Sequence, residues 1–347
     1  MRQRAAESEN RMKIELIPEK GRFYKANLHC HTTISDGKQT PEEVKEYYKS
    51  LGYSIVCYTD HEVLIPHEDL CDEEFLALHG YEVAIKKDIY NPTAIFMPVY
   101  HFNLIARKQD TRRMARFYKN NRSWPGKAKE WADKYGVYDE NDTIPETVYD
   151  KEWISEYLTA VSEAGYLVTY NHPQWSLQNY EDFIGLRGLY AIEAMNGGCR
   201  VLNDNTSIHF EQMLRAGMDV LPIGGDDNHE QAGCGYAWTM IKAPDLTYDA
   251  VMEAYERGDA YVSEGPEIEA LYIEDGEIVV KTSPAFSVVL FSEGRACGAR
   301  SSKENTLTEA RFKYTPASYG RYFRFEVRDA SGKKAFSRAY KPSEIEC

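Results

Sequence analysis

The chain has 347 residues, 43% hydrophobic and 13% aromatic. That is enough for one large α/β barrel or two domains around a sizeable core, and it excludes global disorder. A formal charge of −14 argues against a general nucleic-acid-binding surface, no segment approaches the ~20 apolar residues of a membrane helix, and no apolar run follows the charged N-terminus as a secretory signal requires. Seven cysteines without a Cys-x-x-Cys spacing argue against a disulfide framework or a thiolate zinc site and point to a reducing cytoplasm.

Residues 1–23 read as a lead-in, polar and frayed over its first dozen positions. A strand is predicted over 24–29, running into Asn27-Leu28-His29-Cys30-His31-Thr32. Side chains alternate along a strand, so His29 and His31 share a face and can grip one ion together. Thr40-Pro41-Glu42-Glu43 supplies an N-cap, a proline at the first helical position and a capping-box glutamate. The helix it opens, over 41–51, stops at Gly52. A strand over 54–59 delivers Asp60 and His61.

The same grammar then repeats. A helix over 153–164 is closed by Gly165, and a buried strand over 166–170 delivers Asn171-His172-Pro173. A strand over 189–194 ends near Glu193. A helix over 207–216 is closed by Gly217, and a strand over 220–224 delivers Asp227 and His229. Thr247 caps a last helix that ends at Gly258. Strand followed by helix, repeated, predicts a parallel sheet or barrel whose active site collects after the strand C-termini.

Two regions break this pattern. Residues 84–150 form an insertion longer than ordinary barrel loops. Within it, 107–129 carries nine Lys or Arg against Asp110, a local charge of +8 that leaves −22 for the rest. It reads either as a funnel for an anionic substrate or as a solvated helix balancing acidic neighbours. From 266 to 347 the chain alternates apolar and polar residues, with a type I′ hairpin turn at Asp275-Gly276. A small β-rich, sandwich-like domain is predicted there. It holds no histidine, so support, substrate gating or oligomer contact is expected of it rather than chemistry.

The candidate ligands are His29, His31, Asp36, His61, Glu82, His101, His172, Asp227 and His229. Imidazoles and carboxylates without a thiolate suit zinc, manganese or iron. His67, His79 and His209 read as loop or helix-surface residues.

Asn-Leu-His29-Cys-His31-Thr, Ser35-Asp36-Gly37, Thr40-Pro41-Glu42-Glu43 and Thr59-Asp60-His61 together resemble the PHP (polymerase and histidinol phosphatase) family. Glu82, His101, Asn171-His172-Pro173 and Asp227-x-His229 follow in that family's ligand order. The resemblance spans about residues 24–265. It implies a distorted (β/α)7 barrel with a trinuclear metal centre that hydrolyses phosphate esters with a metal-activated hydroxide. By position, it implies a first ion on His29, His31, Glu82 and Asp227. Glu82 would bridge to a second on His101 and His172, with a third on Asp36, His61 and His229. Some members have His where this chain has Asp36. Asp227 and His229 are the expected proton shuttles. Asp60 is expected to orient a ligand imidazole or its loop.

The expected cofactors are two to three divalent transition metals, and the expected substrate is a small phosphorylated metabolite or nucleotide. Arg200, after Asn196-Gly197-Gly198-Cys199, is the candidate for gripping it. Asn228 and Glu62 lie beside ligands and either line the pocket or shape the loops. No long nucleic acid and no membrane is expected as a partner. The alternatives are a phosphodiesterase trimming short oligonucleotides and a catalytically silent metal-binding scaffold.

Overall fold

The computed structural model describes residues 13–87, 97–118, 120, 123–202 and 208–345. The predicted frayed first dozen residues lie outside this set. The chain divides into two compact units. The larger is Lys20–Glu264 with Phe336–Arg338, and the smaller is Gly265–Ala335 with 13–19 and 339–345.

A three-residue strand, β1 (Lys13–Glu15), belongs to the smaller unit. The larger unit opens with β2 (Arg22–Asn27), α1 (Pro41–Ser50), β3 (Ile55–Tyr58), the long β4 (Leu76–Lys86) and β5 (Val99–Ala106). The short pair β6 (Arg113–Met114) and β7 (Val137–Tyr138) flanks α2 (Ala128–Tyr135). There follow α3 (Lys151–Glu163), β8 (Tyr166–Tyr170), α4 (Tyr180–Phe183), β9 (Ala191–Asn196), α5 (Ile208–Arg215) and β10 (Leu221–Gly225). The unit ends with β11 (Trp238–Ala243), α6 (Tyr248–Arg257) and β12 (Ala260–Ser263).

Local signals set the helix ends. Thr40 and Glu43 form the capping box at α1, with Oγ1 accepting from Glu43 N at 3.3 Å and Glu43 Oε2 from Thr40 N at 2.9 Å. Asp150 caps α3 and Thr247 caps α6, whose end at Gly258 is left-handed at φ 73°. Residue 207, the predicted first residue of α5, lies outside the described residues.

The sheet of the larger unit runs β10-β9-β8-β5-β4-β3-β2-β11-β12. The (β/α)7 barrel expected from the resemblance is not what forms. β2, β3 and β4 are parallel, as are β8, β9 and β10, but β5 is antiparallel to both β4 and β8. β11 is antiparallel to β2. Among the described residues no ladder closes the sheet. Its β10 edge meets β11 and β2 through side chains: Gly224 N donates to Thr239 Oγ1 at 2.9 Å and Asp226 N to Asn27 Oδ1 at 2.8 Å. The expected insertion over 84–150 therefore begins inside a central strand and contains another. The reason is visible in β4 and β5, two apolar stretches buried on both faces as central strands are.

One core fills the curled sheet. Tyr24, Ala26, Leu28, Ile55, Leu78, Leu167 and Ile223 meet Val251, Met252 and Tyr255 of α6. A second lies under α1, where Val44 and Tyr48 cover Cys30, Val56 and Tyr58. The cysteines among the described residues are all free, and no helix among them is long and apolar enough to cross a membrane.

The smaller unit is mostly strand, with a short helix at Pro316–Tyr319 and a 3-10 turn at Pro342–Glu344. β13 (Ile268–Glu274) and β14 (Glu277–Ala285) join at Asp275 (φ 52°) and Gly276 (φ 75°), the two left-handed residues of a type I′ turn. β15 (Ser287–Ser292), β16 (Gly298–Ser301), β17 (Leu307–Lys313), β18 (Phe323–Arg328) and the first half of β19 (Lys334–Ser337) complete it. One sheet is β1-β13-β14-β17, and β16, β15 and β18 pair in another. Residues 13–15, expected in the lead-in, are thus an edge strand against β13. β18 departs from the predicted half-solvated alternation. Arg324 and Glu326 are buried, with the Arg324 guanidinium over the Phe291 ring at 4.4 Å.

Candidate metal centre

Most candidate ligands stand where strands run out, with main-chain hydrogen bonds carrying the register beyond the strand ends, whereas Glu82 lies inside β4 and His101 inside β5. Asp227 N donates to His29 O at 3.0 Å, and His31 N donates to Asn228 O at 3.1 Å. Leu28 faces the core shared with α6 whereas Cys30 packs beneath α1, so the alternation slips between them as both histidines turn to the sheet mouth. Glu82 N donates to Asp60 O at 3.2 Å and Glu62 N to Glu82 O at 2.7 Å, which aligns His61 beside Glu82. His101 is drawn in by register. It pairs with Ala84 across β4 and β5, and cross-strand partners share a face.

Glu82 is the hub. His101 Nδ1 is 3.0 Å from its Oε1, His61 Nδ1 is 3.1 Å from its Oε2, and His29, His31 and His172 approach through Nε2 at 3.4 Å. Asp227 is the second hub, with Oδ1 at 3.1 Å from His31 Nε2 and 3.4 Å from His29 Nε2. The Nε2 atoms of His29 and His31 are 3.1 Å apart. Three sets have ligand atoms close enough for one ion each: His29–His31–Asp227, His29–Glu82–His172, and His31–Asp36–His61–His229. This redistributes the expected sets. His29 and His31 each serve two of the sets, and His101 is in none of the three despite its contact with Glu82.

The donor set fits divalent transition metals on two observations. Buried Glu82 Oε2 and His31 Nδ1 have no hydrogen-bond partner, which is costly unless a cation satisfies them. Glu82, Asp227, His61 and His101 are held in the deprotonated form a cation binds, whereas His29 and His229 hold protons that a cation would displace. Burial alone would raise Glu82 and Asp227, but the surrounding imidazoles hold both well below the ordinary carboxylate range. Burial and the neighbouring His31 lower His61 to about 3, and burial also lowers His101. Burial opposes charge on His29 too, yet Asp227, Glu193 and Glu82 raise it well above 6.5. His229 rises to about 9 because Asp36 and Asp227 outweigh its burial.

The backbone is strained at the same place. Glu62 (φ 62°), His172 (φ 23°) and Asp227 (φ 50°) are non-glycine residues with positive φ, a conformation that persists where the surroundings over-determine it.

Behind the ligands stand residues that hold them. Asp60 accepts from Thr32 N, Thr32 Oγ1, Ser35 N and Ser35 Oγ at 2.6–3.0 Å, so it orients the loop between His31 and Asp36 and not an imidazole. Sequence reasoning missed Glu193. Its Oε1 lies 3.1 Å from His29 Nδ1, and its Oε2 accepts from Asn196 Nδ2 at 2.8 Å. It also missed Asn171, which donates to Glu82 Oε1 at 2.7 Å. Asn171 follows directly on β8, so the strand-end rule was the available signal there, whereas Glu193 lies inside β9, which runs on to Asn196.

Three expectations are corrected. Arg200 does not reach the cavity. Its guanidinium donates to Gly197 O at 2.8 Å and lies 3.8 Å above the Tyr236 ring. Asn228 is buried and turned into the fold, where its Oδ1 accepts from Tyr48 Oη at 2.8 Å. His79 and His67 are not surface residues. His79 is fully buried on β4, three residues from Glu82 and thus on the opposite face, stacked on Tyr248. His209 is half-buried beside Phe183.

The cluster floors a cavity of about 500 Å³. Ala84, Met97, Val99, Pro125 and Trp175 form its apolar wall, and Lys86 and Ser123 line it as well.

Its structural neighbours include PHP-like metal-dependent phosphoesterases. A two-domain protein from Bacteroides vulgatus, containing a predicted PHP-like metal-dependent phosphoesterase, is 14% identical over 96% of this chain and 100% of that one, at a TM-score of 0.40. A candidate metal-dependent phosphoesterase from Bifidobacterium adolescentis is 20% identical over 61% of this chain and 89% of its own, at 0.35. PsfC from Pseudomonas syringae is 12% identical over 67% and 88%, at 0.40. No family model and no curated protein matches the chain.

Proposed function

We propose that this chain is a PHP-type metal-dependent phosphoesterase that hydrolyses a small phosphate monoester. The observation that carries the reading is the convergence of nine nitrogen- and oxygen-bearing side chains, centred on buried Glu82, seven of which line one cavity. Two to three ions of zinc, manganese or iron would be held by His29, His31, Asp36, His61, Glu82, His101, His172, Asp227 and His229. Such ions lower the pKa of water and offset phosphoryl charge. Glu193 fixes the ring of His29, and Asp60 fixes the loop that brings Asp36 to His229. His229 has the most solvent-exposed imidazole of the group, with its Nδ1 3.9 Å from Asp227 Oδ1. We assign these two residues the proton traffic at the leaving oxygen.

The cysteines free among the described residues support a reducing, cytoplasmic setting. The oligonucleotide alternative rested on the basic segment. There six of the nine, Arg107, Lys108, Arg112, Arg113, Arg116 and Lys129, each meet a carboxylate, so most of the described charge is already matched; Lys119 and Arg122 lie outside the described residues.

The test is metal analysis of the purified full chain, with a screen of phosphomonoesters, nucleotides and short oligonucleotides in manganese, iron or zinc. Asp227→Ala is expected to lose metal and at least 100-fold of phosphomonoester hydrolysis, of the order seen when groups acting on a transition state are removed (roughly 10²–10³ each). A native chain without bound ion, and a variant with unchanged activity, would refute the proposal.

A further inference from the structure

The inner face of β4 carries three cavity residues in a row, Glu82, Ala84 and Lys86, because strand side chains repeat every second residue. At a rise of about 3.3 Å per residue, the Lys86 Cα stands roughly 13 Å along the strand from that of Glu82. Lys86 pairs across the ladder with Val99, also in the cavity wall, so it faces the same space as the metal cluster. It is the one Lys or Arg among the described residues lining that space.

Lys86 Nζ donates to Ser123 Oγ at 2.9 Å and has no carboxylate partner among the described residues. The cations of the neighbouring insertion named above each have one. A partly buried ammonium held by a single neutral hydroxyl keeps donors unused and its charge uncompensated. Between it and the cluster the wall is apolar. Trp175 is 48% exposed, with its ring 5.3 Å from that of His101 and 5.1 Å from that of His172.

We propose that Lys86, steadied by Ser123, receives a second anionic group of the substrate. This rests on the phosphoesterase reading and narrows it. The preferred substrate is a phosphate monoester carrying a carboxylate or second phosphate about one ring away, its flat or apolar body lying over Ala84 between Val99 and Trp175. The role expected of Arg200 falls to Lys86.

The experiment uses matched pairs on the metal-loaded full chain. Phenylphosphonate and 4-carboxyphenylphosphonate, which are not hydrolysed, are titrated calorimetrically, and phenyl phosphate and 4-carboxyphenyl phosphate are assayed for turnover. The native chain is expected to bind the carboxylated phosphonate about tenfold more tightly and to show the same preference in KM rather than kcat. Lys86→Met should bring both ratios close to one at unchanged metal content, Lys86→Arg should keep most of the preference, and Ser123→Ala should weaken it. Equal binding of the two phosphonates by the native chain, no binding of either, or a preference that survives Lys86→Met overturns the assignment. A binding preference without hydrolysis of either ester keeps the Lys86 site and overturns the phosphoesterase reading instead.

Discussion

Asp60 offers the sharpest check on how the loop carrying Asp36 is held. Its carboxylate is 3% exposed and accepts from two main-chain N–H groups and two hydroxyls of Thr32 and Ser35. In Asp60→Ala, Ser35 N keeps Thr32 O at 3.1 Å, but Thr32 N loses its acceptor. One orphaned N–H costs about 1–3 kcal/mol, and three further bonds at about 1 kcal/mol each bring the loss to roughly 5 kcal/mol. Asp60→Asn keeps an oxygen at Oδ1 and gains an amide that can donate to Thr32 Oγ1. It gives up only the charge-assisted part, about 1 kcal/mol. Urea unfolding in chelator measures both, and metal analysis should show Asp60→Ala short of the ion assigned to Asp36, His61 and His229. An alanine variant within 1 kcal/mol of the native chain, or an asparagine variant as damaged as alanine, would refute this account of the loop.

His79 links stability to pH. Burial lowers it to about 4, so between pH 6.5 and 4 the unfolded chain binds a proton the native chain does not, and stability falls as pH falls. From pH 7.5 to pH 5 the loss is about 2 kcal/mol, and His79→Phe, which can keep the stacking on Tyr248, should be spared it when both are unfolded in chelator. Glu193→Gln should weaken metal binding by about 10–100-fold in a chelator competition, because His29 loses the carboxylate that fixes its ring; unchanged affinity would count against that role. At Gly225, an added Cβ would lie 2.8 Å from His29 Cβ and 3.0 Å from His29 N. Gly225→Ala should therefore cost about 1–3 kcal/mol and lower metal content, and a variant with native stability and full metal would show that His29 can move freely.

Much of the candidate site was legible because its chemistry is local. His-x-His, Asp-His and Asp-x-His at predicted strand ends name candidate ligands without any knowledge of their partners, and helix caps at Thr40 and Thr247 mark where helices begin. Residues with ambiguous chemistry were misread. Arg200 follows a glycine pair and looks free, but only the fold reveals the Tyr236 ring beneath it. Lys86 sits in an apolar strand with no motif around it, yet the β4–β5 register turns it into the cavity. His79 carries no signal separating it from a surface histidine until Tyr248, far along the chain, packs against it.

The sequence by itself named the candidate ligands, the strand-end positions of His29, His31, His61, His172, Asp227 and His229, the helix caps at Thr40 and Thr247 and the I′ turn at Asp275-Gly276, since each depends on residues within a few positions of one another. Tertiary structure decided strand direction, which histidines share an ion set, and what stands behind them. β5 runs antiparallel between β4 and β8, and the expected barrel ladder does not close, because pairing partners are chosen among strands dozens of residues apart. The same long-range packing brings Glu193 to His29 and Asp60 to Thr32 and Ser35, contacts that no local pattern encodes.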